Sequence, residues 1–376
     1  MSVEIKPIEA TKSQLKKFVK FGIGHYRGND CYVPPLIMDD VATLSPAENP
    51  AFDFCRAQSF MAYRDGKPVG RITGIINDVV NERTGTKQLR FGFVEFIDDN
   101  EVVDALFDAV SDWGRRQGMT EIVGPMGFTD MDHEGMLVEG FDQLGTMATI
   151  YNYPYYPAQL ERRGMVKDVD WVEYLIPIPD SIPDKHKRIG EIVKKKFNLT
   201  IAKVKSRKEL KERYGKQLFA LINKAYDQLY GYSPLTERQI DYYIKQYLGL
   251  IKLENLCIIV DADDKLVGCG ISVSSFSRAL QRSRGRLFPL GWRHMLKPLL
   301  GHVDTVDLLL VAIDPDYQGK GVNALLFTEL IPAFQRLGYK QAESNPELES
   351  NENVQKQWEY FERRQHKRRR SYKASL

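Results

Sequence analysis

No apolar run in this sequence reaches the length a helix needs to cross a bilayer. The opening stretch MSVEIKPIEATKSQLKKFVKF spreads its charges throughout and holds no apolar segment of the signal-peptide kind, so the cytoplasm is the expected compartment. Cysteine is scarce. Cys31, Cys55, Cys257 and Cys269 show neither a CxxC spacing nor a nearby histidine pair, which argues against zinc and against a disulfide framework, and no metal is expected. All four are read as reduced and mostly buried. Net charge is small as well, at +3, and nucleic acid is not the expected partner.

What the chain does have is the composition of a soluble globular protein, 43% hydrophobic and 27% charged. At 376 residues it is too long for one ordinary core and calls for two or three domains. Positive charge gathers in Arg363–Lys373, RRQHKRRRSYK. That run reads as a solvated helix face or fraying tail, or else as a contact for phosphate on a nucleotide cofactor, an anionic membrane or nucleic acid.

Two halves carry the same succession of signals. Phe60–Asp78 alternates around Asp65-Gly66 as a hairpin, Arg90–Asp98 reads as a strand, and a helix opening near Asn100 closes near Gly118 before the strand TEIVGP. In the second half Asn255–Ser275 is a hairpin turning at Asp263-Asp264, TVDLLLVAID a strand, VNALLFTELIPAFQRLGY a helix, and KQAESNPEL a further strand. Pro177, Pro179 and Pro183 interrupt regular structure between the halves, which gives expected domains of 1–178 and 179–376.

The stretch Val311–Leu330, VAIDPDYQGKGVNALLFTEL, runs from strand through a glycine turn directly into a helix. Such a turn aims free backbone N–H groups past the helix terminus, where an anion is attracted. Gly319 and Gly321 let the backbone approach it, and Lys320 adds charge at the rim. The turn has neither the Walker pattern nor GxGxxG.

With its flanks, this segment resembles the pyrophosphate-binding stretch of the GNAT superfamily of acyl-CoA-dependent N-acyltransferases. Gln318 and Gly321 match that pattern, and Asn323 stands where glycine or alanine is usual. The resemblance covers residues 255–372. It implies an α+β (mixed α/β) fold of two GNAT-like domains, each a central, mostly antiparallel twisted sheet flanked by helices. The N-terminal junction EFIDDNEVVDALF has no glycine, and Asp98, Asp99 and Glu101 would repel phosphates, so cofactor binding is expected in the C-terminal half. The cosubstrate implied is acetyl-CoA or a longer acyl-CoA. Gln318, Gly319, Lys320, Gly321, Val322 and Asn323 would hold its pyrophosphate. The N–H groups of Leu310, Val311, Ala312 and Ile313, on a strand splayed from its neighbour, would hold the thioester carbonyl. Asn351 or Asn353, ahead of a last amphipathic helix, would complete the site. The implied chemistry is direct attack by an amine in a ternary complex, with Asp307 or Glu343 as base and Tyr360 as acid, since the offset from Asn351 that often carries tyrosine holds Trp358. The alternative is a non-catalytic acyl-CoA-binding module of the same fold.

Two further stretches bear on the acceptor. Gly124–Met165 is irregular and rich in Gly, Met and Tyr; it reads as a packed loop or as a pocket wall lined by Tyr151, Tyr153, Tyr155 and Tyr156, with His133 or Glu134 nearby. Ser274–Leu300 mixes Arg278, Arg282, Arg284 and Arg286 with Leu280, Leu287, Phe288 and Trp292. It reads as a solvated amphipathic insertion, or as a lid touching membrane lipid or a long acyl chain. Neither stretch shows the carboxylate cluster that an aminoglycoside site would want. The expected partners are therefore a small-molecule or lipid-like amine acceptor and peripheral contact with an anionic membrane.

Overall fold

The computed structural model describes residues 2–376 apart from the side chain of Asn353. The strands in chain order are β1 Glu4–Ile8, β2 Cys55–Arg64, β3 Lys67–Asn77, β4 Gln88–Phe96, β5 Glu121–Gly124, β6 Met136–Glu139 and β7 Val166–Pro177. They continue as β8 Thr200–Ile201, β9 Leu256–Val260, β10 Leu266–Ser274, β11 Thr305–Ile313, β12 Gln341–Ser344, β13 Glu347–Leu348 and β14 Arg364–Ser375. Two compact units result, one of Met1–Val172, Ser277–His294 and His366–Leu376, the other of Glu173–Phe276 and Met295–Gln365. Sequence punctuation placed a single cut after residue 178; the units break inside β7 instead, and two later segments return to the first.

The first unit orders its strands β1-β2-β3-β4-β5-β14, followed by the early part of β7. The β2–β3 hairpin turns through Asp65 and Gly66 with φ of 53° and 73°, the doubly positive geometry favoured by an Asp-Gly pair. The helix Asn100–Arg116 links β4 to β5, which pair in parallel; it buries Val102, Val103, Leu106, Phe107 and Val110, a 3.6-residue pattern, and is followed by Gly118 at φ 83°. The second unit orders the late part of β7, then β12-β11-β10-β9-β8. Here the helix Asn323–Arg336 links the parallel pair β11–β12, and Gly338 closes it at φ 76°. Hairpin, strand, helix and parallel strand thus recur, as the repeat in the sequence led us to expect. Each unit is a mostly antiparallel sheet flanked by helices.

One reading is overturned. The basic run is neither tail nor solvated helix but β14, hydrogen-bonded to β5 through Tyr372–Ser375. Lys367 and Arg369 are 1% exposed, and Arg368 and Arg370 clamp the buried Asp170 at 3.1 and 2.8 Å. Burial alone would raise the Asp170 carboxyl, but the hydrogen bonds from Arg370, Lys167 and Arg368 outweigh it and hold it at about 2. Charges so engaged are not offered to a phosphate. Cys55, Cys257 and Cys269 are buried, Cys31 half-buried, and all four are free thiols. Among the described residues no helix is long and apolar enough to cross a membrane.

Candidate active site

β11 carries the central feature of the second unit. It pairs with β12 only from Thr305 to Leu308, opposite Gln341–Ser344. Beyond that point its bonds to β10 continue, from Leu310 opposite Ile271 to Ile313 opposite Gly268, after a register shift at Ile271/Ser272. On the other edge Asn345 donates its N–H to Leu308 O (3.1 Å) and its amide to Leu309 O (3.2 Å) as the two strands part. Leu308–Val311 are consequently only half-buried, although they lie in an interior strand. Neighbours alternate along a strand, so alternate N–H groups of Leu310, Val311, Ala312 and Ile313 face the gap. The hydroxyl of Tyr226, at the end of the helix Gly215–Tyr226, donates to Val311 O (3.0 Å).

The turn follows at once. Asp314 caps the short 3-10 turn Pro315–Tyr317 and binds Lys224 (2.7 Å), which also holds Asp316 (2.9 Å), so one ammonium offsets part of the charge of these two carboxylates beside the loop. Gln318 donates its side-chain amide to Ile313 O (3.0 Å), tying the loop to the end of the strand. Gly319 and Gly321 both take left-handed φ, 69° and 82°. A Cβ on Gly321 would lie 2.7 Å from Ile189 Cγ2, whereas one on Gly319 would meet nothing within 4 Å. Lys320 N–H reaches back to Tyr317 O (3.3 Å), while the N–H groups of Gly319, Gly321, Val322 and Asn323 make no other backbone bond among the described residues. This is a cradle of free donors at the start of a 14-residue helix, open on the side of Gly319, and its chemistry fits a pyrophosphate. A pocket of about 310 Å³ lies beside it, with Phe197, Tyr317, Lys265 and Lys320 in its wall.

Asp307 and Glu343 are register partners on β11 and β12, so their side chains share one face of the sheet, and both are buried. Sequence reasoning missed a third carboxylate. Burial pushes Glu347 up to about 7, although Trp358 Nε1 donates to it at 2.8 Å. It lies two residues beyond the Asn345 that marks the parting of the strands. Trp358, at the offset that often carries tyrosine, is thus a donor to a carboxylate.

The other candidates fall elsewhere. The expected last helix is only Glu352–Lys356, and the chain then turns and extends into β14. Asn351 spends its side chain as the N-cap, accepting from Val354 N–H (3.3 Å); the side chain of Asn353 is outside the described residues. Tyr360 lies in the turn, not on a helix, 46% exposed, with its hydroxyl against the Lys185 ammonium and that ammonium 3.9 Å from its ring centre. The shortening is physical: Trp358 and Phe361 pack on Phe327 at 5.8 and 4.9 Å between ring centres, which ends the helix to reach that surface.

In the first unit Tyr151, Tyr153, Tyr155 and Tyr156 form an aromatic cluster with His25 and Tyr26. The Tyr156 ring stacks on Phe96 (4.2 Å), and the Tyr156 hydroxyl accepts from Phe96 N–H (3.1 Å) while Tyr155 donates to Phe96 O (2.7 Å). Tyr156 is wholly buried and Tyr151 nearly so; Tyr153 and Tyr155 are half-buried. The junction before Asn100–Arg116 is occupied by the protein's own acids. Asp99 caps Val102 N–H (3.2 Å) and pairs with Arg64 (2.6 Å), which also holds Glu101 (2.8 Å).

The Gly124–Met165 stretch does hold a carboxylate cluster, against expectation. Burial raises Asp130 to about 7, Asp132 to about 6, and Glu134 well above its ordinary value, with the Asp130 charge adding to Glu134 and the Asp132 charge to both of the others. Burial also lowers His133 to about 4, its ring held by Met147 O at 3.0 Å. Spacing alone did not show this, because the burial that raises these carboxyls comes from contacts that local sequence does not record.

Residues 216–363 match the family model described as Acetyltransferase (GNAT) family, across the splayed strand and the loop. Most of the matched stretch lies in the second unit, which is similar to a GNAT domain. The whole chain is 28% identical over 374 residues to Protein YghO of Escherichia coli (strain K12), a match covering 97% of this chain and 94% of that protein. It is 27% identical over 353 residues to the bacterial ceramide synthase of Caulobacter vibrioides (strain NA1000 / CB15N), covering 91% and 89% respectively. In fold it resembles a tandem GNAT protein from the clavulanic acid biosynthesis pathway, with a TM-score of 0.57 and 12% identity over 100% of this chain and 98% of the other. The architecture is that of tandem GNAT proteins, and the family and these relatives support acyl transfer.

Proposed function

We propose that the chain is an N-acyltransferase that moves an acyl group, acetyl or longer, from acyl-CoA to the primary amine of an elongated, lipid-like acceptor. The observation that carries this reading is the union within one unit of a strand parted at Leu308 with a free-donor loop at Gly319–Asn323. The loop N–H groups bind the pyrophosphate. The N–H groups of Leu310–Ile313 that face the gap bind the thioester carbonyl and its developing oxyanion. The amine attacks directly, so positioning supplies much of the acceleration. Its proton passes to a carboxylate of the set Asp307, Glu343 and Glu347; Glu347, near 7, has the basicity suited to neutral pH. Tyr226 is the hydroxyl held at the gap and protonates the departing thiolate.

Support for the acceptor comes from the relative named a ceramide synthase, since a ceramide is the amide of a long-chain amino alcohol. The half-buried Leu308–Leu310 offer apolar surface where the strands part. The test is thiol release from acetyl-CoA and longer acyl-CoAs over an amine panel in the presence of vesicles. Faster turnover on short hydrophilic amines than on long-chain amino alcohols would remove the lipid-like acceptor. Acyl-CoA binding without turnover on any amine would leave a non-catalytic binding module.

A further inference from the structure

The segment Arg284–Leu300 is short of partners in a particular way. Of the nine large hydrophobic side chains exposed among the described residues, five lie within it: Phe288, Leu290, Trp292, Leu296 and Leu300, with Phe288 77% and Leu300 81% exposed. That concentration is far from the scatter of single apolar residues expected on a soluble surface. On the helix Trp292–Leu300, residues Trp292, Leu296 and Leu300 stand four apart and form one outward ridge, while Met295 and Pro298 face inward. Arg293 and Lys297 are exposed and follow the ridge one position on, so cations flank it along one side.

Charge decides the occupant. No acidic residue lies between Asp264 and Asp304, while Arg278, Arg282, Arg284, Arg286, Arg293 and Lys297 all fall in that interval. None of Arg282, Arg284, Arg286, Arg293 and Lys297 forms an ion pair among the described residues. An apolar ridge with an interfacial tryptophan and unneutralised cations beside it suits the boundary between acyl chains and anionic headgroups. Another protein's acidic patch would match the cations but leave five large apolar side chains facing charge.

We propose that Arg284–Leu300 is a membrane-docking element that inserts Phe288, Leu290, Trp292, Leu296 and Leu300 into the surface of an anionic bilayer, with Arg284, Arg286, Arg293 and Lys297 on the headgroups. The proposal stands apart from the acyl-transfer reading. The experiment is co-sedimentation of the full chain with phosphatidylcholine vesicles, with and without about 30% phosphatidylglycerol, at low and high salt. The wild type is expected on the anionic vesicles, less so at high salt. The double variant Leu296→Asp, Leu300→Asp is expected to bind at least about tenfold more weakly with an unchanged circular-dichroism spectrum, because both side chains are exposed. The variant Arg293→Gln, Lys297→Gln is expected to lose most of the preference for anionic vesicles. Vesicles should also shift tryptophan emission to the blue, and Trp292→Phe should abolish that shift. Equal vesicle binding by wild type and both double variants would overturn the proposal. So would a concentration-dependent dimer, seen by analytical ultracentrifugation, that Leu296→Asp, Leu300→Asp dissolves without changing vesicle binding, since the ridge would then be covered by a second copy.

Discussion

At the residue scale, Gly319 and Gly321 separate binding from folding. Gly319 has φ 69° and open space where a Cβ would project, so Gly319→Ala costs about 1 kcal/mol of backbone strain and puts a methyl where the proposed pyrophosphate would approach. Acyl-CoA affinity should fall by about tenfold or more, read by calorimetry, while the melting temperature moves by only a few degrees. Wild-type affinity in that variant would remove the loop from the site. Gly321→Val is a poorer test, because the new Cβ also strikes Ile189 and loosens the unit. The proton donor is tested as a pair: Tyr226→Phe should lower kcat by about a hundredfold, as expected for loss of a general acid, with Tyr360→Phe close to wild type. The opposite order would return the role to Tyr360. The loop was legible in the sequence because strand, glycines and helix are contiguous. Tyr226 was not, since it meets Val311 across 85 residues of chain, and Glu347 was not, since burial and not spacing sets its basicity.

At the scale of elements, the parallel pairs β4–β5 and β11–β12 were readable from local signals, because each helix between them carries its own apolar stripe and terminal glycine. β14 was not. A run such as RRQHKRRRSYK has the composition of a solvated segment, and only Asp170, about 200 residues away, turns two of its arginines into strand-holding ion pairs. Removal of residues 364–376 should therefore take an interior strand from the first unit, not strip away a phosphate-binding tail. Loss of cooperative melting and of soluble yield is expected, whereas a stable, folded truncation would show that β14 is dispensable. Asp170→Asn, which leaves Arg368 and Arg370 without their shared anion, should cost about 3 kcal/mol in denaturant titration.

At the scale of the whole molecule, stability should decline as pH rises through neutrality. Asp130 is raised to about 7 and Asp132 to about 6, so the folded chain keeps protons that the unfolded chain releases above about 4, and stability falls as pH climbs through that window. His133, lowered to about 4, acts in the other direction below about 6.5, because there the unfolded chain takes up a proton that the folded one refuses. Above about 6.5 the histidine no longer contributes and the carboxyls alone remain. Melting temperature should thus drop between pH 6.5 and 8 by a few degrees, and Asp130→Asn should flatten the decline; an identical slope in the variant would show that Asp130 does not titrate in that range. By itself the sequence determined the repeated order of elements, the mixed α/β class and the place of the glycine loop between strand and helix, because each depends on periodicity and turn chemistry within about twenty residues. Only the tertiary structure decided which charges are spent internally, which carboxyls burial raises, where the last strand pairs, and which hydroxyl reaches Val311 O. Those properties arise from burial and from contacts between distant segments, and local sequence records neither.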